Sequence, residues 1–234
     1  MKTTKNLLLI VLSLITGATF AQTALTGAWK MNDGSVSHHL FFQDGFYFHT
    51  VHEGKQFVSS QGGKYIADQQ SIKAELLYNS ADSGQVGSSM AVPFKLSGDK
   101  LSLRVDQTEI QFQRVDDSQA PLAGVWRITG RMGADGKVTP IHQSGSRQTY
   151  KLLTGTKFQW VAIDPGKKQF SGTGGGSYTF KDGKYTENIE FFSRDNSRVG
   201  ASLGFDGKLE NGDWHHSGLS SKGDKIYEVW SRLK

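Results

Sequence analysis

The sequence predicts an all-β protein made of two tandem, small antiparallel up-and-down barrels, and three observations carry that expectation. Short alternating runs rich in Phe, Tyr, Val and Ile are punctuated by Asp-Gly, Gly-Gly, Ser-Gly and Asn-Gly, the pattern of successive hairpins. Helical periodicity is nearly absent. The chain also repeats itself: Leu25-Thr26-Gly27-Ala28-Trp29-Lys30 returns as Leu122-Ala123-Gly124-Val125-Trp126-Arg127, and each copy closes on an aromatic-x-Arg ending, Phe112-Gln113-Arg114 and Trp230-Ser231-Arg232.

Residues 1–21 read as a cleaved export signal: a basic start at Lys2 and Lys5, an apolar run from Leu7 to Ile15, and a small-residue exit at Ala18-Thr19-Phe20-Ala21. The run is short for a spanning helix, so a retained anchor is the weaker reading. Residues 22–116 then form the first copy, 117–121 a polar linker ended by Pro121, and 122–234 the second copy. A hairpin from Leu40 to Phe48 turning at Gln43-Asp44-Gly45 has its counterpart from Leu152 to Trp160, at a shift of 112. From Gly62 the shift is 113 and runs without a gap to Leu101 against Trp214, with ten of forty positions identical, among them Ser80 with Ser193 and Asp82 with Asp195. Each half has room for about eight strands, and closing them into a barrel removes exposed sheet edges. One larger barrel built from both halves is the rival.

Composition narrows the function. Without Lys2 and Lys5, 25 basic residues face 22 acidic ones, spread along the chain with no basic block, which argues against a nucleic-acid or membrane-surface partner. There is no cysteine, hence no disulfide, thiolate metal site or thiol nucleophile, and an exported protein of this kind must rest on its core alone. No segment after the signal is apolar enough to span a membrane as a helix. The oligomeric state is open.

Gly-x-Trp on the first strand with Arg near the end of the last resembles the lipocalin and fatty-acid-binding-protein group, the calycins. The resemblance implies that Trp29 and Trp126 plug the closed ends of their barrels while Arg114 and Arg232 lie across the indoles and hydrogen-bond to backbone, a sound arrangement for a guanidinium on an aromatic face. The second half, with Gly174-Gly175-Gly176-Ser177-Tyr178, Tyr185-Thr186-Glu187 and Tyr227-Glu228-Val229-Trp230, looks like lipocalin-like domains of secreted Bacteroidetes proteins. The family's ligand-binding habit is the functional expectation that comes with it.

The repeat supplies an internal control. Ile72, Ala74, Leu76 and Tyr78 alternate as one inward face, and their partners are Tyr185, Glu187, Ile189 and Phe191. Leu103 matches His216, and Ile110 matches Glu228. The second barrel therefore gains a polar interior of Glu187, His216 and Glu228 among the aromatics Trp160, Tyr178, Tyr185 and Trp214. These seven are the candidate ligand-binding residues, for a small apolar or amphipathic molecule. A buried carboxylate must be paired, hydrogen-bonded or protonated, and Arg147, Arg194 and the tyrosine hydroxyls are the candidate partners. A plain structural cluster, a ligand pocket, and a divalent-metal or acid–base centre all remain open. A solid-barrel interaction module using Lys167-Lys168 or the loop 194–198 is the reading from another class.

Other features carry less. His38-His39 and His215-His216 are adjacent on strands and point to opposite faces, so neither pair chelates from one side, and surface histidines are the simpler account. His49 and His52 would share a face only on a helix. Gly172-Thr173-Gly174-Gly175-Gly176 lacks the Gly-Lys-Ser/Thr ending of a phosphate loop and reads as a turn or bulge. No catalytic residue, cofactor or metal ligand is assigned.

Overall fold

A computed structural model describes residues 21–220 and 223–233. The expected export signal lies outside them, apart from Ala21. In the first half β1 (Gly27–Asp33), β2 (Val36–Gln43), β3 (Phe46–Glu53), β4 (Gln56–Ala67), β5 (Ser71–Asn79), β6 (Ser89–Ser97), β7 (Lys100–Val105) and β8 (Thr108–Asp116) pair in sequence order, and β8 returns to β1 to close the barrel. In the second half β9 (Gly124–Met132) pairs with β11 (Gln148–Leu153), followed by β12 (Lys157–Asp164), β13 (Gln169–Lys181), β14 (Lys184–Phe192), β15 (Ser202–Glu210), β16 (Asp213–Leu219) and β17 (Lys225–Arg232), and β17 closes on β9. A short strand, β10 (Val138–Pro140), extends the β11 side of β9. The structure is thus two closed eight-stranded antiparallel barrels, not one large one.

Turn chemistry explains the hairpins. Asp44-Gly45, Asp182-Gly183 and Asn211-Gly212 all have positive φ at both central positions, the mirror-image turn that matches strand twist and tolerates Asp or Asn before Gly. Identities between the halves hold equivalent local structure. The hydroxyls of Ser80 and Ser193 accept from the backbone N–H of Ser60 (2.8 Å) and Thr173 (2.9 Å). Asp82 and Asp195 cap matching single-turn helices, Ser83–Gln85 and Asn196–Arg198.

Both indoles are buried close to the start of their barrel's first strand. Trp29 Nε1 donates to the Leu25 carbonyl at 2.8 Å and Trp126 Nε1 to that of Leu122 at 2.9 Å. The Arg114 guanidinium lies 4.0 Å from the Trp29 ring centre and Arg232 4.3 Å from Trp126. Arg114 also donates to the Thr26 and Ala24 carbonyls, and Arg232 to those of Ala123 and Pro121. Each guanidinium therefore satisfies chain-entry carbonyls while covering an apolar face.

The repeat also contains departures from simple alternation. Gly63 faces Leu76 while Gly62 faces Tyr78, leaving Leu77 as an extra residue; Gly176 faces Ile189 while Gly175 faces Phe191, leaving Glu190 extra. Each bulge reverses the alternation beyond it. Tyr78 and Phe191, expected inside, instead turn to the seam between the barrels, where Tyr78 meets Phe170 and Phe191 meets His39 and His52. The glycine tract is part of β13, and Gly176 is required by contact: a Cβ there would lie 2.0 Å from the Asn188 carbonyl oxygen, as one at Gly63 would lie 1.8 Å from that of Glu75.

The seam is a third apolar core, in which Ala28, Phe41, Phe46, Phe48 and Tyr78 pack with Val125, Leu152, Val161 and Ile163. Gln159 spans it, accepting from Thr50 Oγ1 at 3.0 Å and donating to Ser60 Oγ at 3.0 Å. Asp116, at the end of β8, accepts from the backbone N–H groups of Gly155 and Thr156 and from the hydroxyls of Thr154 and Thr156. Burial works against its carboxylate, and these bonds outweigh that, holding its pKa below the usual range.

Candidate functional site

The register places the two interiors in correspondence. Trp29 faces Leu40 across β1 and β2, and Trp126 faces Lys151 across β9 and β11. The true shift in this hairpin is therefore 111, one less than the sequence alignment gives, and a one-residue slip exchanges the two faces of a strand. Lys151 stands where the first barrel has Leu40, and this inward cation was hidden by the slip.

Lys151 is the centre of the polar interior. Its Nζ lies 2.8 Å from Glu187 Oε1, with the lysine 4% exposed and the glutamate 5%. The Tyr185 hydroxyl donates to the same oxygen at 3.0 Å. The ammonium is also 5.2–5.6 Å from the ring centres of Phe158, Tyr185, Trp214 and Trp230, so four aromatic faces replace part of its lost hydration. Burial, then the Glu187 charge, raises the Tyr185 phenol well above its usual pKa, keeping it a donor. Neither Arg147 nor Arg194 pairs with Glu187.

Glu228 is paired from the rim, its Oε1 2.7 Å from Arg131 Nη2 and its Oε2 accepting from Trp230 Nε1 at 3.2 Å. Burial pushes this carboxyl up, but His216, Lys151 and Arg131 together outweigh it and bring its pKa down to about 2. His216 is different. It is buried against Phe205, Trp214 and Tyr185, and its Nδ1 is 3.6 Å from Glu228, beyond hydrogen-bond length. Both ring nitrogens lack a hydrogen-bond partner among the described residues. Burial, against the pull of nearby Glu228, holds the imidazole below its usual pKa, hence neutral, with one donor and one acceptor to offer.

These groups line a cavity of about 540 Å³ that opens past Arg131, Arg147 and Arg194. Its apolar wall includes Trp160, Phe192, Phe205 and Ile189. Of the seven candidates, Trp160, Glu187, His216 and Glu228 line this space. Tyr178, Tyr185 and Trp214 do not: they fill the core beneath it, Tyr178 donating to the Thr154 carbonyl at 2.7 Å and Trp214 standing 5.9 Å from Trp126. The equivalent region of the first barrel is mostly apolar, with Leu40, Ala74, Leu103 and Ile110 at the corresponding positions.

Histidines depart from the surface expectation. His38 Nδ1 and His49 Nε2 meet at 3.1 Å across β2 and β3, and His39 Nε2 and His52 Nε2 meet at 3.0 Å in the seam. The sequence pairs them along the chain, whereas the fold brings them together diagonally across β2 and β3, where His38 faces Val51 and His39 faces Thr50 in register. Burial, then His38, lowers the His49 pKa to about 4.

No protein-family model and no curated protein matches this chain. The barrel geometry and the side chains within it carry the functional reading. Among the described residues no group of three or more His, Asp or Glu side chains is placed to hold a metal ion, and both inner carboxylates are engaged by cations. Lys168 reaches the Gly84 carbonyl and Asn196 the Gln56 side chain, so loops expected to meet a foreign partner touch the first barrel.

Proposed function

We propose that this chain is an exported, lipocalin-like binding protein whose second barrel takes a small, partly apolar molecule, while the first barrel is a structural copy that braces it. Export rests on the basic and apolar start of the sequence, and kinship with secreted Bacteroidetes lipocalin-like domains rests on the Gly-x-Trp and aromatic-x-Arg pattern. The observation that carries the binding reading is His216: a neutral, buried imidazole with two unpartnered nitrogens in a cavity of small-molecule size. Leaving such a group bare costs about 1–3 kcal/mol, which a ligand offering a hydroxyl or carbonyl recovers. Trp160 and Phe205 supply the apolar contact.

The test is titration of the full chain with N-phenyl-1-naphthylamine, a neutral fluorescent probe. Saturable binding of one probe per chain, lost when Ala162→Trp fills the cavity without lowering the melting temperature, is the expected result. No binding by the unaltered protein, or unchanged binding by Ala162→Trp, refutes the reading.

A further inference from the structure

The first barrel brings together donors that the second lacks. Trp29 and Leu40 face each other inside it, so alternation sends Met31, two residues after Trp29, and His38, two before Leu40, to the same inner face, where they stand opposite in register. His49 reaches that face from β3, two residues after Tyr47, its ring 6.4 Å from that of Phe112. The two imidazoles stack at 5.3 Å, with His38 Nδ1 3.1 Å from His49 Nε2. All three side chains are half-buried, open enough for an ion to enter. The equivalent positions of the second barrel hold Ile128, Thr149 and Trp160, none of which offers a thioether or an imidazole.

Hydrogen-bonded imidazoles aim two ring nitrogens at one shared proton. A metal ion in place of that proton, with bonds of about 2.0 Å at a tetrahedral angle, needs the nitrogens about 3.3 Å apart, so His38 and His49 hold the required bite after a shift of only a few tenths of an ångström. We propose that Met31, His38 and His49 bind a single Cu(I) ion inside the first barrel. Two neutral imidazoles and a thioether make a soft, uncharged donor set, which favours Cu(I) over the hard divalent ions that prefer oxygen. Asp33, two residues after Met31 on β1, places a negative charge beside the site: burial lowers the His38 pKa, and Asp33 pulls against it. The other imidazole pair lacks these features. His39 Nε2 and His52 Nε2 are 3.0 Å apart, but both rings are sealed against Phe191, and Glu190, 3.9 Å from His39, is engaged by Lys157. Burial, then His52, Lys157 and Lys30, holds His39 well below its usual pKa, surroundings that repel a cation. The assignment is independent of the cavity in the second barrel and gives the first barrel a task beyond bracing.

The experiment is transfer of Cu(I) from its bicinchoninate complex, under ascorbate, to the full chain without an affinity tag. One Cu(I) per chain is expected to leave the chelator. Met31→Leu is expected to raise the Kd about tenfold and His38→Thr, which imports the second barrel's residue, at least about a hundredfold. His52→Gln, which breaks the seam pair, is expected to leave it unchanged. A readout on the unaltered chain accompanies the variants: Ag(I), a redox-inert stand-in, added to protein labelled at the methionine methyl carbons should shift the Met31 resonance and leave those of Met90 and Met132 in place. No transfer of Cu(I) to the chain, an affinity unchanged in His38→Thr, or an Ag(I) shift at Met90 or Met132 with Met31 unmoved overturns the assignment, and none of these results bears on probe binding by the second barrel.

Discussion

Replacing Lys151 by Leu tests the polar interior by importing the first barrel's solution. Leu40 occupies the equivalent position there, and Ala74 occupies that of Glu187. In Lys151→Leu the Glu187 carboxylate loses the ammonium 2.8 Å away and keeps only the Tyr185 hydroxyl. Breaking a buried pair from one side costs about 3–5 kcal/mol, whereas replacing both partners with apolar groups is often neutral. For a chain of this size the single variant should melt about 10 °C lower, at about 2–4 °C per kcal/mol. Lys151→Leu/Glu187→Ala should recover most of that loss. Urea unfolding followed by tryptophan emission is the assay, and it reports mainly on the second barrel, which carries four of the five tryptophans. A single variant within about 1 kcal/mol of the parent, or a double variant as damaged as the single one, would refute the claim that the pair is buried and mutually dependent.

Further expectations follow from other parts of the structure. Gly63→Ala and Gly176→Ala each drive a Cβ into a backbone oxygen, at 1.8 Å and 2.0 Å, and should each cost more than about 3 kcal/mol or abolish soluble expression, read by thermal melting. Arg232→Ala, which uncovers Trp126 and strands two carbonyls, should destabilise the second barrel by about 2–3 kcal/mol in urea unfolding, with Arg114→Ala doing the same in the first. The Glu228 carboxyl is depressed from 4.5 to about 2, so its stabilising contribution is complete above pH 4.5 and is lost as pH falls toward 2; Glu228→Gln should flatten the stability profile in that window. His49 is depressed from 6.5 to about 4, so the unfolded chain takes up its proton first, stability falls between pH 6.5 and 4, and His49→Leu should flatten that interval.

The sequence makes much of this architecture legible, because local chemistry fixes it. Asp-Gly and Asn-Gly pairs demand positive φ and mark hairpin turns, and the Trp and Arg of each copy meet through strands at opposite ends of the repeat. Inward Glu187, His216 and Glu228 are readable because no bulge intervenes between them and their apolar counterparts Ala74, Leu103 and Ile110. The failures come from one-residue shifts. A slip in the β2–β3 hairpin alignment concealed Lys151, and bulges at Leu77 and Glu190 turned Tyr78 and Phe191 outward. The seam was illegible for a related reason: Phe41, Phe46 and Phe48 lie on the outer face of a barrel, where period-two patterning alone cannot say that a second barrel covers them. The rim arginines lie near strand ends, where alternation gives no direction.

A crystal structure of the full chain grown with N-phenyl-1-naphthylamine tests the central claim most directly. The account predicts density inside the second barrel, the aromatic rings of the probe along Trp160 and Phe205 and beside His216, with the first barrel unoccupied. Density confined to the outer surface or to the seam between barrels, with the space beside His216 holding water alone, would contradict it.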